Sequence, residues 1–595
     1  MRTFFKFMFA SCLGTLLAVI FGILILILIG SSMTMNNFDQ GKSVHVTNNT
    51  VLKINIPANL PEQTNNVPMQ SFSFDDKKVL GVHDYAHTIR QAITDPNIKG
   101  IYLMSNINNH GYATLKIIRD ALVAFQQSGK FIISYSNYID HKNYFLLSTA
   151  DKIYLHPLGF LDLKGFGATI PFYKDMLDKI GVKFNIYYAG EFKSATEPFR
   201  LNKMSPENRL QLSEYLNEQF DLYTQQVAIS RHIDYQVLKN NFNQFLSYSP
   251  QKAYDNKLVD SLAYEIDVIN YMSNKMGLNN DDKINYITPE DYYSTTGGPK
   301  KDYTAKNKVA VIYAEGNITD GQGEEGVIGR KYLKIIRDIR ANKSIKAIVL
   351  RVNSPGGSAL MSDDILKELD LAKAEGKPVV VSMGDYAASG GYYISCHADS
   401  IFASQHTLTG SIGVFAMIPN FNNLLEDKFG IDFDTVGTGP KSTMFSVATD
   451  WGAEEARVLQ ENVDHTYDAF LKVVSSGRNM SKEDVHKIAR GRIWNGIKAK
   501  ELGLVNEIGE LEDAIACAAR LASLDKYRTT EFPSQLEGIQ KILQKFKGDE
   551  DEIQSSISNS IIKEQLGSYY PYYKSMQDIK SYKGLQMRLP VMIHY

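Results

Sequence analysis

The segment GDYAASGGYY carries the clearest chemical potential of the chain, because its Ser389 follows two alanines and precedes two glycines. Alanine and glycine leave space around a neighbouring side chain, so another molecule can closely approach the Ser389 hydroxyl. A serine hydroxyl is a weak nucleophile until a base takes its proton. Ser389 is therefore a candidate nucleophile that needs a partner.

A second glycine-rich segment, LRVNSPGGSALMSDD, contains Gly356 and Gly357. Both segments follow predicted strands, and open α/β sheets place their sites at the ends of strands. The backbone N–H groups of Gly356, Gly357 and Gly390, the last at a predicted helix N-terminus, can stabilise an oxyanion. Alone, SPGGS is equally typical of a tight turn. The functional interpretation depends on the two segments occurring together.

No histidine is an evident general base for Ser389. His397 lies about 12 Å from Ser389 along the same predicted helix, and His406 has no acidic partner nearby in the sequence. Lys193 lies in YYAGEFKSATEPFR, among small and aromatic residues. Burial would lower its pKa until the free amine can accept a proton. The alternative is an ordinary solvated lysine.

These candidates belong to a chain that repeats itself at an offset near 247 residues. IRQAITDPNIKGIYL matches IRDIRANKSIKAIVL, and KAYDNKLVDSL matches KAKELGLVNEI, with two shorter matches between them. We predict two copies of one domain, at 50–286 and 308–526, with a polar linker at 287–307 and a C-terminal extension at 527–595.

Each copy alternates short β-branched runs with longer amphipathic runs, which is typical of βαβ units and an α/β fold. In the second copy KVAVIYA, IKAIVLRV, PVVVSM and DSIFA read as buried strands. A long helical segment follows in each copy, and it either packs one copy onto the other or serves as a core helix. ASGG and PGG occur in the second copy only.

Composition excludes several classes of function. The net charge of −2 over 595 residues gives no general attraction to nucleic acid. Three scattered cysteines fit neither a disulfide framework nor a zinc site, and no P-loop or HExxH motif is present. We therefore predict no metal and no organic cofactor.

Residues 8–30 are uncharged and apolar, and this length is enough to cross a bilayer as a helix. Arg2 and Lys6 precede this segment, which places the rest of the chain outside the cytoplasm. We predict a single-pass anchor; a cleaved signal peptide is the alternative. The scarcity of cysteine fits a bacterial envelope protein.

Four segments, LRVNSPGGS, GDYAASGGYY, TLTGSIGVF and GEFKSATEPFR, resemble the long, duplicated form of the bacterial signal peptide peptidase A family, the protease IV peptidases. The resemblance implies two tandem crotonase-like, ClpP-like α/β domains. It also implies a serine–lysine dyad with Ser389 as nucleophile, Lys193 as general base and Ser411 as the residue that orients the amine. The oxyanion donors would come from Gly356, Gly357 and Gly390.

The same resemblance implies a homotetramer that degrades cleaved signal peptides. Its catalytic domains would lie on the periplasmic side of the bacterial inner membrane. Lys441 aligns with Lys193 by the repeat offset and is the alternative base. A crotonase-type acyl-CoA enzyme and a non-catalytic membrane scaffold are the alternative functions.

Overall fold

The computed structural model describes residues 46–66, 78–106, 108–279, 283–299, 302–323, 327–535 and 584–588, together with Gly14 and Phe21. Apart from those two positions, the predicted anchor at 8–30 lies outside the described residues. Within the described part, no helix combines the length and the apolar character that crossing a bilayer requires. The elements described below all belong to one unit that begins at Asn48.

The strands fall into three groups by position in the chain. Those of the first copy are β1 (Thr50–Asn55), β2 (Ile98–Met104), β3 (Phe131–Asp140), β4 (Lys152–Asp162), β5 (Lys183–Ala189), β6 (Ser261–Leu262) and β7 (Asn285–Ile287). Those of the second copy are β8 (Lys308–Glu315), β9 (Asn317–Ile318), β10 (Val327–Ile328), β11 (Ile345–Ser354), β12 (Gly356–Ser358), β13 (Val379–Ala388), β14 (Ser400–Ala403), β15 (Leu408–Gly410), β16 (Val414–Asn420), β17 (Ile493–Asn495) and β18 (Glu507–Ile508). Beyond residue 526 lie β19 (Arg528–Phe532) and β20 (Gln586–Arg588).

The two copies build similar sheets, and the second is parallel except for the antiparallel pair β15 and β17. The first has the strand order β6-β4-β3-β2-β1-β7 and is parallel throughout. The second runs β17-β15-β13-β11-β8-β19, with β14 beside β13 and β18 beside β14. The predicted α/β character of both copies is confirmed. Because β19 pairs in parallel with β8, the second sheet continues past the predicted domain end at 526.

The apolar runs of the sequence become strands that are buried on both faces. All six residues of 347–352 in β11 are buried, as expected for a strand with helices on either side. The four strands predicted in the second copy are found as β8, β11, β13 and β14. Their hydrophobic side chains form the main core of that copy.

A third, mixed sheet joins the copies in the order β10-β9-β12-β20-β16-β5. In it β5 of the first copy pairs antiparallel with β16 of the second over seven residue pairs, from Val414 opposite Ala189 to Asn420 opposite Lys183. This ladder fixes the C-terminal end of β5 against β16 of the second copy. It therefore fixes the position of the segment that follows β5, which contains Lys193.

Helices connect the strands in both copies. The α-helices of the first copy are Val82–Thr94, Tyr112–Gln127, His141–Leu147, Lys174–Ile180, Glu197–Arg200, Pro206–Arg231, Tyr235–Asn243, Pro250–Asp255 and Glu265–Lys275, and the helix Pro289–Thr296 lies in the predicted linker. Those of the second copy are Lys331–Ala341, Ala359–Ala374, Gly390–Tyr393, Ala453–Arg478, Lys482–Ile488, Gly496–Glu501 and Leu511–Leu521. A 3-10 turn spans Ser194–Thr196, and a π-helical turn spans Leu424–Lys428.

The two long helices pack across the copies. In the first copy, Leu212 and Tyr215 of Pro206–Arg231 pack against Ala388, Leu408 and Ile493 of the second copy. The corresponding helix Ala453–Arg478 packs on β5 and β16. Of the two interpretations of these helices, the structure supports packing of one copy onto the other.

A buried ion pair also crosses between the copies. The Arg351 guanidinium donates to both carboxylate oxygens of Glu62, at 2.9 and 3.4 Å, and also to Ser382 Oγ and the Met383 carbonyl. Both charged side chains are almost fully buried. A buried charge is tolerated only while its partner remains, so each member of the pair depends on the other.

We expect the substitution Arg351→Met to lower the free energy of unfolding by about 3–5 kcal/mol, because it leaves the Glu62 carboxylate buried without its countercharge. Arg337→Met is the matched control: Arg337 pairs with Glu368 but is 57% exposed, so we expect a loss of about 0–1 kcal/mol. Urea-induced unfolding measures both effects. Equal losses in the two variants would contradict the role given to the buried pair.

Candidate active site

Ser389 lies at the junction of β13 and the short helix Gly390–Tyr393. Its backbone has φ 57° and ψ −115°, an unusual conformation for a residue with a side chain. Its N–H donates to the Gly410 carbonyl at 2.8 Å, and its own carbonyl accepts from the Tyr393 N–H. Such strain persists only where the surroundings enforce it, and it occurs often at functional sites.

Lys193 reaches this serine from the other copy. Its Nζ lies 2.8 Å from Ser389 Oγ, although 196 residues separate the two in the chain. The same amine lies 3.0 Å from the Ser411 carbonyl oxygen and 3.1 Å from Ser411 Oγ. The structure thus brings together the three side chains for which the sequence predicts the nucleophile, the base and the residue that orients the base.

The hydrogen-bond partners of the amine suit a neutral lysine. A neutral amine has two N–H donors and one lone pair, whereas a carbonyl oxygen can only accept. When Ser411 accepts both N–H groups through its carbonyl and its hydroxyl, the lone pair of Lys193 is left facing Ser389. The Ser389 hydroxyl can then donate its proton to Lys193, as general-base catalysis requires.

Burial of the Lys193 amine favours its neutral form. The Lys193 side chain is fully buried, and desolvation lowers the pKa of its amine well below the ordinary value of 10.5. Among the described residues, no carboxylate lies within ion-pair distance of Lys193 Nζ to oppose this effect. Burial therefore favours the neutral form of the amine, which can accept a proton.

A segment that the sequence analysis did not single out holds the lysine and its orienting serine in place. The Arg490 carbonyl accepts from the Phe192 N–H at 2.9 Å, and the Arg492 carbonyl accepts from the Ser411 N–H at 2.7 Å. Between them, Gly491 has φ +82°. A Cβ there would lie within 2.7 Å of the backbone N, Cα and Cβ of Lys193. The sequence ARGRIW offers one signal of this role, a glycine between two arginines. The backbone contacts themselves cannot be recognised from residue types.

The three glycines predicted as oxyanion donors come together beside Ser389. A Cβ on Gly390 would lie 3.2 Å from the N atom of Gly357, and one on Gly356 would lie 2.7 Å from the N atom of Gly390. The Gly356 N–H, however, already donates to Ser354 Oγ at 3.2 Å. This leaves the N–H groups of Gly357 and Gly390 as the candidate donors. The φ of +97° at Gly356 allows the turn that places them there.

The structure does not bring the remaining candidates to Ser389. Lys441 is exposed and pairs with Glu454, with an N–O distance of 2.5 Å. His397 lies 3.0 Å from a carboxylate oxygen of Asp370.

His406 is buried elsewhere, against two glutamine side chains and a group of aromatic rings. Across the described residues, no three His, Cys, Asp or Glu side chains are arranged to hold a metal ion.

Comparison with known proteins adds independent information. The family model Peptidase family S49 matches this chain twice, at residues 124–279 and 371–525. Protease 4 of Haemophilus influenzae is 37% identical over 453 residues, which cover 75% of this chain and 73% of that protein. Protease 4 of Salmonella typhi is 38% identical over 473 residues, which cover 76% and 74%.

A third relative matches a shorter part of this chain. A protein of Enterococcus faecium with the provisional name signal peptide peptidase SppA is 37% identical over 240 residues, which cover 39% of this chain and 70% of that protein. A solved ClpP1 mutant of Listeria monocytogenes covers 34% of this chain and 94% of its own, at 17% identity and a TM-score of 0.24. That score does not decide a fold, so the crotonase-like and ClpP-like assignment stays a prediction.

We expect Gly491→Ala to lower kcat by roughly 100-fold, since the new methyl group would displace the backbone of Lys193 and a displacement of about 1 Å costs that much. Gly376→Ala is the matched control: its φ of +83° is nearly the same, but nothing lies within 4 Å of the added Cβ. Steady-state hydrolysis of a peptide substrate checks both variants. Similar kcat values for the two would contradict the positioning role of Gly491.

We expect Lys193→Met to abolish activity while raising the free energy of unfolding at pH 7 by about 1–2 kcal/mol. Between the lowered pKa of folded Lys193 and its ordinary 10.5, the unfolded chain binds one more proton than the folded chain. This residue therefore lowers stability in that range, and the loss diminishes as the pH approaches 10.5. Urea unfolding at pH 7 and pH 10 should show the gain shrinking; a gain that does not change with pH would contradict a neutral buried amine.

Proposed function

Because the chain belongs to peptidase family S49 and is a serine-type peptidase, we propose that Ser389 and Lys193 form its catalytic dyad and that it degrades cleaved signal peptides. The observation that carries the proposal is the buried contact of 2.8 Å between Lys193 Nζ and Ser389 Oγ. Family membership sets aside the acyl-CoA enzyme and the scaffold. Peptides are the substrates of this family.

The reaction follows from the geometry of the dyad. Lys193 takes the hydroxyl proton as Ser389 Oγ bonds to the carbonyl carbon of the scissile peptide bond. The N–H groups of Gly357 and Gly390 stabilise the resulting oxyanion. The C–N bond then breaks and the leaving nitrogen takes the proton from Lys193. Water, activated by the same amine, hydrolyses the acyl-enzyme and frees Ser389.

Ser411 acts through Lys193 in this scheme. Because its carbonyl and hydroxyl fix two N–H bonds of the amine, they direct the lone pair at Ser389 in each half of the reaction. The backbone of Ser411 has a positive φ of 49°, and both of these oxygens lie within 3.1 Å of Lys193 Nζ. Ser411 is therefore a positioning residue and does not contact the substrate.

The choice of signal peptides rests on two supports. One is the name of the relative from Enterococcus faecium, with which this chain shares 37% identity. The other is the apolar segment 8–30 of the sequence, which fits a single-pass anchor in a bacterial inner membrane with the catalytic part on the periplasmic side. An enzyme anchored there would meet cleaved signal peptides within the bilayer.

Assembly as a homotetramer is also part of the proposal. Exposed apolar side chains cluster at residues 429–447 of the second copy, and four of them are Phe429, Phe433, Val436 and Phe445. Apolar surface of this kind is common where copies of a chain associate. Carbonate extraction of membranes tests the anchor, and mass measurement of the detergent-purified chain tests the assembly.

The dyad is tested with a fluorophosphonate probe, which labels activated serines, on the full chain in detergent. We expect Ser389→Ala and Lys193→Ala to abolish labelling and to reduce peptide hydrolysis by about 10⁴-fold or more. Lys441→Ala is the matched control, because this exposed lysine should change the rate by about twofold or less. Loss of labelling in Lys441→Ala alone would overturn the assignment.

The substrate is tested with two synthetic peptides of equal length in detergent micelles, one with the apolar core of a signal peptide and one with serines in place of that core. The proposal requires cleavage of the apolar peptide by the wild-type chain and not by Ser389→Ala. Preferential cleavage of the polar peptide would refute signal peptides as the substrate while leaving the dyad intact.

A further inference from the structure

Gln211 lies where residues 192–194 of the first copy, here called the lysine segment, meet the second copy. It belongs to the helix Pro206–Arg231, and its side chain is buried. Its amide Nε2 donates to the Phe192 carbonyl at 3.0 Å and to Ser194 Oγ at 3.1 Å. Gln211 therefore binds the residues on both sides of Lys193.

The other end of the same amide binds the second copy. Gln211 Oε1 accepts from the Ile493 N–H at 3.3 Å. The Phe192 N–H donates to the Arg490 carbonyl at 2.9 Å. Together with the chain from Arg490 to Ile493, these bonds close a ring across the boundary between the copies, and Gly491 lies within that ring.

The ring requires a side chain that offers both a donor and an acceptor. The Phe192 carbonyl can only accept and the Ile493 N–H can only donate, so the group between them must do the opposite at each end. A neutral amide meets this requirement, whereas an aliphatic side chain offers neither function. Without the amide, two peptide groups in this buried place would lose a hydrogen-bond partner, which is unfavourable.

A second set of buried bonds fixes the orientation of the Gln211 amide. Asn208 Oδ1 accepts from Gln211 Nε2 at 3.2 Å, and Asn208 Nδ2 donates to the Glu197 carboxylate at 2.8 Å. The same carboxylate, which is fully buried, also accepts from the N–H and the hydroxyl of Ser205. Glu197 follows Lys193 by four residues in GEFKSATEPFR. These bonds therefore lead back to the part of the chain that carries the lysine.

The same face of the helix makes two further contacts with the second copy. Glu214 pairs with Arg492, and the Glu218 carboxylate accepts from Asn495 Nδ2 at 2.6 Å. Positions three and four residues apart lie on one face of a helix, so these two residues and Gln211 form a single row. Within this row, Gln211 is the member that also binds the lysine segment.

We propose that Gln211 is a positioning residue that keeps the lysine segment docked on residues 490–493 of the second copy and so keeps water from the Lys193 amine. It acts through the lysine and takes no part in making or breaking bonds. The proposal rests on the proposed function, since it takes Lys193 as the general base for Ser389.

Loosening the ring would act on the amine through hydration. The hydroxyl groups that face the amine belong to Ser389 and Ser411. The charged groups on the adjoining segments are paired with one another, namely Glu191 with Arg490, Glu197 with Arg200, and Glu214 with Arg492. Water that entered beside the amine would favour its charged form, which cannot take the Ser389 proton.

The test measures the pH at which Lys193 becomes able to activate Ser389. A fluorophosphonate probe is added to the full chain in detergent, and the rate of labelling is followed across neutral and alkaline pH. The rate follows the neutral fraction of the amine, so the midpoint of the profile reports the pKa of Lys193. A variant that only folds less well has a smaller labelled fraction and an unchanged midpoint.

We expect Gln211→Met to move the midpoint upward by about one pH unit, because water at the amine raises its pKa towards the ordinary 10.5. Below both midpoints, this shift lowers the labelling rate about tenfold. Gln219→Met is the matched control, since Gln219 is also buried, lies about 12 Å further along the same helix and hydrogen-bonds with His406. Its midpoint should equal that of the wild-type chain. An unchanged midpoint in Gln211→Met would overturn the proposal.

Gln211→Asn carries the test if Gln211→Met does not fold. It keeps a neutral amide but shortens the side chain by one methylene group, so the bonds to Phe192 and Ile493 cannot both form. We expect its midpoint to rise as well. If the profile of Gln211→Asn coincides with that of the wild-type chain, the positioning role is refuted.

Failure of this proposal differs from failure of the proposed function. If wild-type labelling depends on Ser389 and Lys193 but the Gln211 variants keep the wild-type midpoint, Gln211 is not a positioning residue and the dyad stands. If wild-type labelling does not depend on Ser389 and Lys193, both proposals are wrong.

Discussion

A buried lysine amine in contact with a serine hydroxyl is the interaction on which the proposed site depends. Desolvation lowers the pKa of Lys193, and within the described part of the chain no carboxylate lies close enough to the amine to oppose this shift. The surrounding fold offsets part of the free-energy cost of burying the amine, because two oxygens of Ser411 accept its N–H groups. A small opening that admitted water would favour the charged amine, which cannot accept a proton. The packing of the site is therefore part of its chemistry.

Two copies of one domain create this enclosure by contributing different parts. The ladder of β5 with β16 brings the lysine segment to the serine, and the segment around Gly491 closes over it. The buried ion pair of Arg351 and Glu62 is a second contact between the two copies. Neither copy contains both Lys193 and Ser389, so the proposed dyad forms only at the interface between the copies.

Much of this arrangement is readable from the sequence, for physical reasons. Buried parallel strands need long β-branched runs, and both the strands of the second copy and the long helices were predicted from periodicity. Ser389 was identified by its small neighbours, because close approach demands them. The contact with Lys193 was predicted from a family resemblance, since no periodicity reveals which residues meet across 196 positions. The role of Gly491 and the place of β20 depend on backbone contacts with distant segments, which residue types alone do not encode.

The cross-copy ladder has a consequence for the order of events during synthesis. A ribosome releases the lysine long before the serine, and long-range pairing forms only when both partners are available. Residues of β16 and of the segment around Gly491 must emerge from the ribosome before the Lys193 amine can become buried and desolvated. Under the proposed function, a nascent chain therefore cannot hydrolyse peptides until its second copy has docked on the first.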